Sequence, residues 1–274
     1  MSDLRLRARS VTEIVDAAFQ LYRRDALEYV LVAAIAYAPL ILVQIVLVGG
    51  LVLSSARMLT GPIGATYLLG IIGIFAYALM SAVLSRFSSD VYLDRPTGLG
   101  VVVRAVLPLV PRLIGATIVF ALVLMLGFIP VIIGTAMSNF SLIFIGMLLS
   151  IVWACYAMAR FFAVFQTIVL EDRGIVAAFS RSSVLSQNRK GHILLTLLLV
   201  IIIFFMLAFA VNIVGSLFGS VAGLLVMQAL YSVVAYPLIG ITQMILYYDT
   251  RIRAEGFDIE VMTGALGSPT TAAS

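Results

Sequence analysis

Six long apolar stretches, almost free of charge, constrain this chain more than any motif does. They run over 29–53, 63–84, 113–136, 141–160, 193–215 and 222–243. A hydrocarbon core about 30 Å thick is crossed by about 20 helical residues at 1.5 Å each, and each stretch meets that length. Pro39, Pro130 and Pro237 fall inside them, which embedded helices tolerate when neighbouring groups take up the freed carbonyl. Only 11% of the 274 residues are charged, against about 25% in an ordinary soluble domain. A water-soluble chain would lack the polar surface to cover itself. The expected fold is an all-α membrane protein with six transmembrane helices.

The charges fix an expected orientation. Sixteen of the 17 Arg and Lys side chains, and all 13 acids, fall in the N-terminal segment, the 86–112 and 160–190 connections and the C-terminal tail. Only Arg57 sits elsewhere. Basic residues mark cytoplasmic loops, so both termini are expected in the cytoplasm. The net charge of +4 has no separate soluble domain to carry it, so anionic lipid headgroups, not nucleic acid, are its expected counter-charge. The first apolar stretch is too long for a cleavable signal. Cys155 is the one cysteine, which excludes an intramolecular disulfide.

The cytoplasmic segments repeat. Tyr92-Leu93-Asp94-Arg95, Leu170-Glu171-Asp172-Arg173 and Tyr248-Asp249-Thr250-Arg251 each close a pair of spans. Residues 1–262 are therefore expected to form one polytopic domain of three hairpin units, 10–95, 96–173 and 174–253, with 263–274 a disordered tail. Each unit opens with an amphipathic interfacial helix on the cytoplasmic side. In the first, Val11, Ile14, Val15, Ala18, Phe19 and Tyr22 share one face, and Ser10-Val11-Thr12-Glu13 reads as a capping box. Such a helix is expected to lie along the headgroup boundary. The second, over 98–112, is weakened by Pro108 and Pro111. The third, 174–189, sets Ile175, Ala178, Phe179 and Leu185 on one side with Arg181 away from them.

The residues with chemical potential are those of the cytoplasmic face. Arg86, Asp94, Arg95, Arg160, Glu171, Asp172, Arg173, Arg181, Asp249, Arg251 and Glu255 are the candidate ion pairs or headgroup contacts. The signature pairs Asp94/Arg95, Asp172/Arg173 and Asp249/Arg251 are expected to knit the units together. Arg160 ends its span and snorkels to the interface, with 161–170 continuing as a cytoplasmic helix. Glu171 and Asp172 diverge by about 100° on a helix and so make a poor acid–base pair. His192 stands alone, and no ligand cluster has metal spacing; no cofactor is expected. Polar residues within the spans are sparse: Gln44, Tyr77, Tyr156, Asn212, Gln228 and Tyr236. Gly215, Gly219 and Gly223 are spaced by four across an external turn.

The segment Ile245-Leu246-Tyr247-Tyr248-Asp249-Thr250-Arg251-Ile252-Arg253-Ala254-Glu255-Gly256-Phe257-Asp258-Ile259-Glu260 resembles the closing motif of the bacterial glycerophosphoryl diester phosphodiesterase membrane-domain family. Val169–Gly174 with Ala177–Ser182, and Val15–Arg23, are similar to its other signatures. The resemblance implies a stand-alone membrane domain in a bacterial inner membrane. The soluble phosphodiesterase barrel that names the family has no room here, and its His-Arg-Gly segment has no counterpart. The expected role is accordingly non-catalytic, an accessory or interaction domain with a membrane or cytoplasmic protein partner. The alternative is a transporter or a protein that handles lipid or small amphiphiles along a path between the three hairpins.

Overall fold

The computed structural model describes residues 7–53, 61–93, 95, 98–219 and 221–256, without the side chains of 39–41, 43–53, 61–69, 77, 221, 222, 224 and 225. Arg57, Asp94, the side chains of Gln44 and Tyr77, the last four residues of the closing motif and the tail 263–274 lie outside the described residues.

The described residues form eleven α-helices and no strand. They are α1 Val11–Arg24, α2 Ala26–Leu53, α3 Gly61–Tyr92, α4 Leu99–Val106, α5 Val110–Leu126, α6 Ile129–Ala136, α7 Phe140–Arg160, α8 Val164–Glu171, α9 Ile175–Leu185, α10 Lys190–Ser216 and α11 Val221–Glu255. Five helical segments are long and apolar enough to cross a membrane: Gly70–Tyr92, Leu99–Leu126, Phe140–Glu171, Lys190–Ser216 and Val226–Glu255. The protein is membrane-embedded by that measure. α2 packs on α3, α6 on α7 and α10 on α11.

α3 and α11 are the inner pair. Their membrane-length windows are 47% and 56% buried, against 22% for each of the other three segments. Gly240 of α11 lets them cross closely, since a Cβ there would stand 2.6 Å from Leu84 Cβ. The outer helices α5, α7 and α10 leave Leu122, Met125, Phe144, Val152, Phe205 and Met206 more than half exposed, as lipid-facing surfaces do. The densest packing lies at the charged end, around Tyr29, Phe87, Ile168, Leu185, Ile193, Met244 and Tyr247, all less than 2% exposed.

The α5–α7 region shows how a broken helix is repaired. Gly127 N donates to Leu124 O rather than to Val123 O one residue further back, and Pro130 in the first turn of α6 has no N–H to give. Trp153 Nε1 of α7 takes up Val123 O at 2.7 Å, and Ser150 Oγ takes up Gly127 O at 2.7 Å. Gly134 and Gly146 bring α6 and α7 into backbone contact: a Cβ on either would stand 2.7 or 2.8 Å from a backbone nitrogen opposite.

Several expectations are corrected. The face of α1 is not given to headgroups: Ile14, Ala17, Ala18 and Leu21 are buried against α11 and α10. Its spacing could not tell lipid from protein, because both are apolar. Pro108 and Pro111 do not break the second interfacial segment. They occupy first turns of a 3₁₀ turn and of α5, where a missing N–H costs little, so α4 runs on into the span. Segment 164–171 is helical, yet Val164, Gln166, Thr167 and Ile168 are at most 1% exposed; it is an inner element and not a projecting extension. Arg181 turns inward, its side chain 17% exposed.

Candidate functional site

The charged end is organised by three consecutive residues of α11. Successive side chains on a helix diverge by about 100°, and Tyr247, Tyr248 and Asp249 accordingly reach three different parts of the chain. Tyr247 OH donates to Glu171 at the end of α8. Tyr248 OH shares a 2.6 Å hydrogen bond with Ser89 of α3, and its ring stacks on Tyr92 at 5.9 Å. Asp249 Oδ1 accepts from Arg9 N at 2.7 Å, ahead of α1.

Around Glu171 the contacts form a network. Arg173 Nε donates to it at 2.7 Å and Arg181 at 3.1 Å through both Nε and Nη2, while Arg251 Nε lies 3.9 Å away. Arg181 also holds Glu255, Nη2 to Oε2 at 2.8 Å, and Arg251 reaches Glu255 at 3.2 Å. The hydrogen bond to Glu255, with the nearby Glu171 charge, raises the Arg181 pKa above arginine's usual value. Five of the expected site residues, Glu171, Arg173, Arg181, Arg251 and Glu255, are thus brought together.

The signature pairs themselves do not form where they are described. Asp172 closes α8 in the left-handed region at φ 53°, a conformation Asp tolerates better than most residues, and pairs with Arg112 at 2.6 Å. Asp249 pairs with Arg253 at 2.9 Å instead of Arg251. His192 Nε2 lies 3.3 Å from Asp249 Oδ2, without the alignment of a hydrogen bond. Arg253 Nη2 returns to Arg9 O at 2.6 Å. Arg86 pairs with Asp90 at 3.2 Å, and Arg95 N donates to Asp90 O at 2.8 Å. Arg160 donates to Tyr156 OH at 2.7 Å.

Sequence reasoning missed a buried polar spine. Gln243 Oε1 of α11 accepts from Ser81 Oγ at 2.9 Å and from Gln166 Nε2 at 3.2 Å. Gln166 Nε2 also lies 3.5 Å from Ser85 Oγ, while its Oε1 is buried with no hydrogen-bond partner. Ser81 and Gln243 fall in the last turns of their expected spans and Gln166 in the expected cytoplasmic helix, so none stands among the polar residues expected inside the membrane. Glutamine inside an apolar run was the available signal. Ser182 was missed too: its hydroxyl accepts from Ala163 N and donates to Arg160 O, both at 3.1 Å, satisfying the break between α7 and α8.

A cavity of about 440 Å³ opens between α2, α3, α5, α8 and α11, lined by Tyr37, Gly73, Thr117, Phe120, Phe165 and Tyr236 among others. A groove of about 320 Å³ lies between α7, α10 and α11. No group of three or more His, Cys, Asp and Glu side chains able to hold a metal ion occurs among the described residues. No family model matches the chain, and neither a curated protein nor a solved structure does.

Proposed function

We propose that this chain is a non-catalytic, six-span inner-membrane protein with cytoplasmic termini, acting as an accessory or interaction domain. The observation that carries the reading is how the charged end is spent. Glu171, Arg181, Arg251, Glu255 and Asp249 are engaged with one another or with the backbone. Carboxylates committed to charge-assisted bonds hold their protons weakly and serve badly as acids or bases. A face so braced is a firm platform for a protein partner. The packing of α2 on α3, α6 on α7 and α10 on α11 supports three hairpins, and the resemblance to the phosphodiesterase membrane-domain family supports the same arrangement. Cross-linking in native membranes followed by affinity capture tests this. A reproducible membrane or cytoplasmic partner is expected, and its absence from cross-linked material would overturn the reading.

The 440 Å³ cavity favours a second reading, passage or storage of a small amphiphile. Its walls are mostly apolar, which suits an acyl or aromatic group better than an ion. A Cβ on Gly73 would meet nothing within 4 Å, so Gly73→Leu fills the space without a backbone clash. Proteoliposome flux of a fluorescent amphiphile that is unchanged by Gly73→Leu would remove this reading.

A further inference from the structure

Where the end of α7 meets the start of α10, two cations meet one aromatic ring. Arg160 Cζ lies 5.9 Å from the centre of the Tyr156 ring, and Lys190 Nζ lies 5.6 Å from the same centre. Both distances fall within cation–π range. Arg160 is fixed further by Tyr156 OH at 2.7 Å and by the Phe161 ring at 5.6 Å. Neither cation pairs with a carboxylate among the described residues, although Arg173, Arg181, Arg251 and Arg253 nearby all do. Like charges gathered on one ring repel, and an external anion relieves that repulsion.

The surroundings suit a phosphate. Lys190 opens α10, whose N-cap position carries no side-chain hydrogen bond, and the positive end of a helix favours an anion. A Cβ on the next residue, Gly191, would meet nothing within 4 Å, leaving room beside that turn.

Further along α10 from Lys190 lies the 320 Å³ groove. Its walls include Met158 of α7, Leu197, Ile201, Phe205 and Ala208 of α10, and Ile239 of α11. Ile201 and Phe205 are 45% and 72% exposed, so the groove is open along its length and accessible from the lipid side. At 1.5 Å per residue, Leu197 lies about 10 Å and Ala208 about 27 Å along α10 from Lys190. The near end of the groove, at Leu197 and Ile201, therefore lies at the depth where the glycerol ends and an acyl chain runs in a half-bilayer of about 15 Å, and Ala208 lies past the midplane.

We propose that the α7/α10 seam is a binding site for one anionic phospholipid, its phosphate between Arg160 and Lys190 and an acyl chain in the groove below. The site rests on the membrane reading of the chain but not on the accessory role, and the two fail separately. Native mass spectrometry of the full chain in detergent tests it, with phosphatidylglycerol and phosphatidylcholine of identical chains as probes. Wild type is expected to retain one phosphatidylglycerol in preference to phosphatidylcholine. Arg160→Gln with Lys190→Gln lowers that preference about thirtyfold, the effect of removing two interfacial cations. Ile201→Trp, which fills the groove at leaflet depth and leaves the charges, weakens retention of both lipids. Millimolar inorganic phosphate does not displace the lipid. Equal retention of the two lipids by wild type, unchanged retention by the double variant, or displacement by phosphate alone overturns the proposal, the last indicating a soluble-anion site. If the double variant does not fold, Lys190→Gln alone carries the test, since the Lys190 side chain makes no hydrogen bond among the described residues.

Discussion

At the scale of single residues, burial decides which ion pairs matter. Glu171 is 11% exposed at its side chain and serves Arg173, Arg181 and Tyr247 together. Removing its charge leaves the inward-turned Arg181 with Glu255 alone, and breaking a largely buried pair costs about 3 kcal/mol. The Arg112–Asp172 pair is as short but 43% and 77% exposed, and such pairs contribute about 0.5 kcal/mol. Glu171→Gln should therefore lower the thermal midpoint in detergent well below wild type, while Arg112→Ala leaves it nearly unchanged. Equal effects would mean that exposure is a poor guide at this face. Glu13 gives a pH signature of its own. The Ser10 backbone N–H, with Arg7, lowers its pKa from 4.5 to about 2. A depressed folded-state pKa contributes stability that is complete above the unfolded value and is lost as pH falls from about 4.5 toward 2. Carbon-13 titration of the Glu13 carboxyl should show a midpoint near 2, and Glu13→Gln should remove that part of the acid sensitivity from α1.

At the scale of elements, the closest contacts are set by glycine. A methyl on Gly134 or Gly146 would press on backbone atoms of the facing helix at under 3 Å, and backbone cannot rotate aside. Gly134→Ala and Gly146→Ala should each destabilise by about 1–3 kcal/mol, as overpacking does. Gly100→Ala in α4 meets nothing within 4 Å and should be neutral or stabilising by up to about 1 kcal/mol; the ranking of melting temperatures checks both. The helices themselves were legible in the sequence, because apolar length is a one-dimensional property. Their partners were not. Whether a stripe such as Ile14, Ala18 and Leu21 meets lipid or another helix depends on neighbours distant in sequence. The ends of α3 and α11 were misjudged for a related reason. The span expected to end at 84 continues in α3 to Tyr92, and Ser85, Ser88 and Ser89 there are at most 3% exposed because protein rather than lipid encloses them. Arg181 was placed outside by helical spacing alone, and two carboxylates from other helices turn it inward. The residues of the site were foreseeable as a set, and their pairing was not.

At the scale of the whole molecule, α11 joins parts of the chain that sequence separation would leave independent. Tyr248 ties it to α3, Tyr247 to α8, and Asp249 to the segment before α1. If these braces act separately, each variant should loosen one region only, as expected for sites that share no partner. Asp249 is 1% exposed and accepts from Arg9 N; a hydrogen bond to a charged group contributes about 1.5–3 kcal/mol. Asp249→Ala should therefore raise local opening ahead of α1 by roughly tenfold to a hundredfold, read as trypsin cleavage after Arg9 under native conditions. Tyr248→Phe removes the bond to Ser89 and keeps the ring on Tyr92, so cleavage after Arg9 should stay at the wild-type rate while the α3–α11 contact weakens. Hydrogen exchange over 84–92 should show the second effect. Should Tyr248→Phe expose Arg9 as fully as Asp249→Ala does, the three contacts form a single lock, and the charged end opens as one cooperative unit.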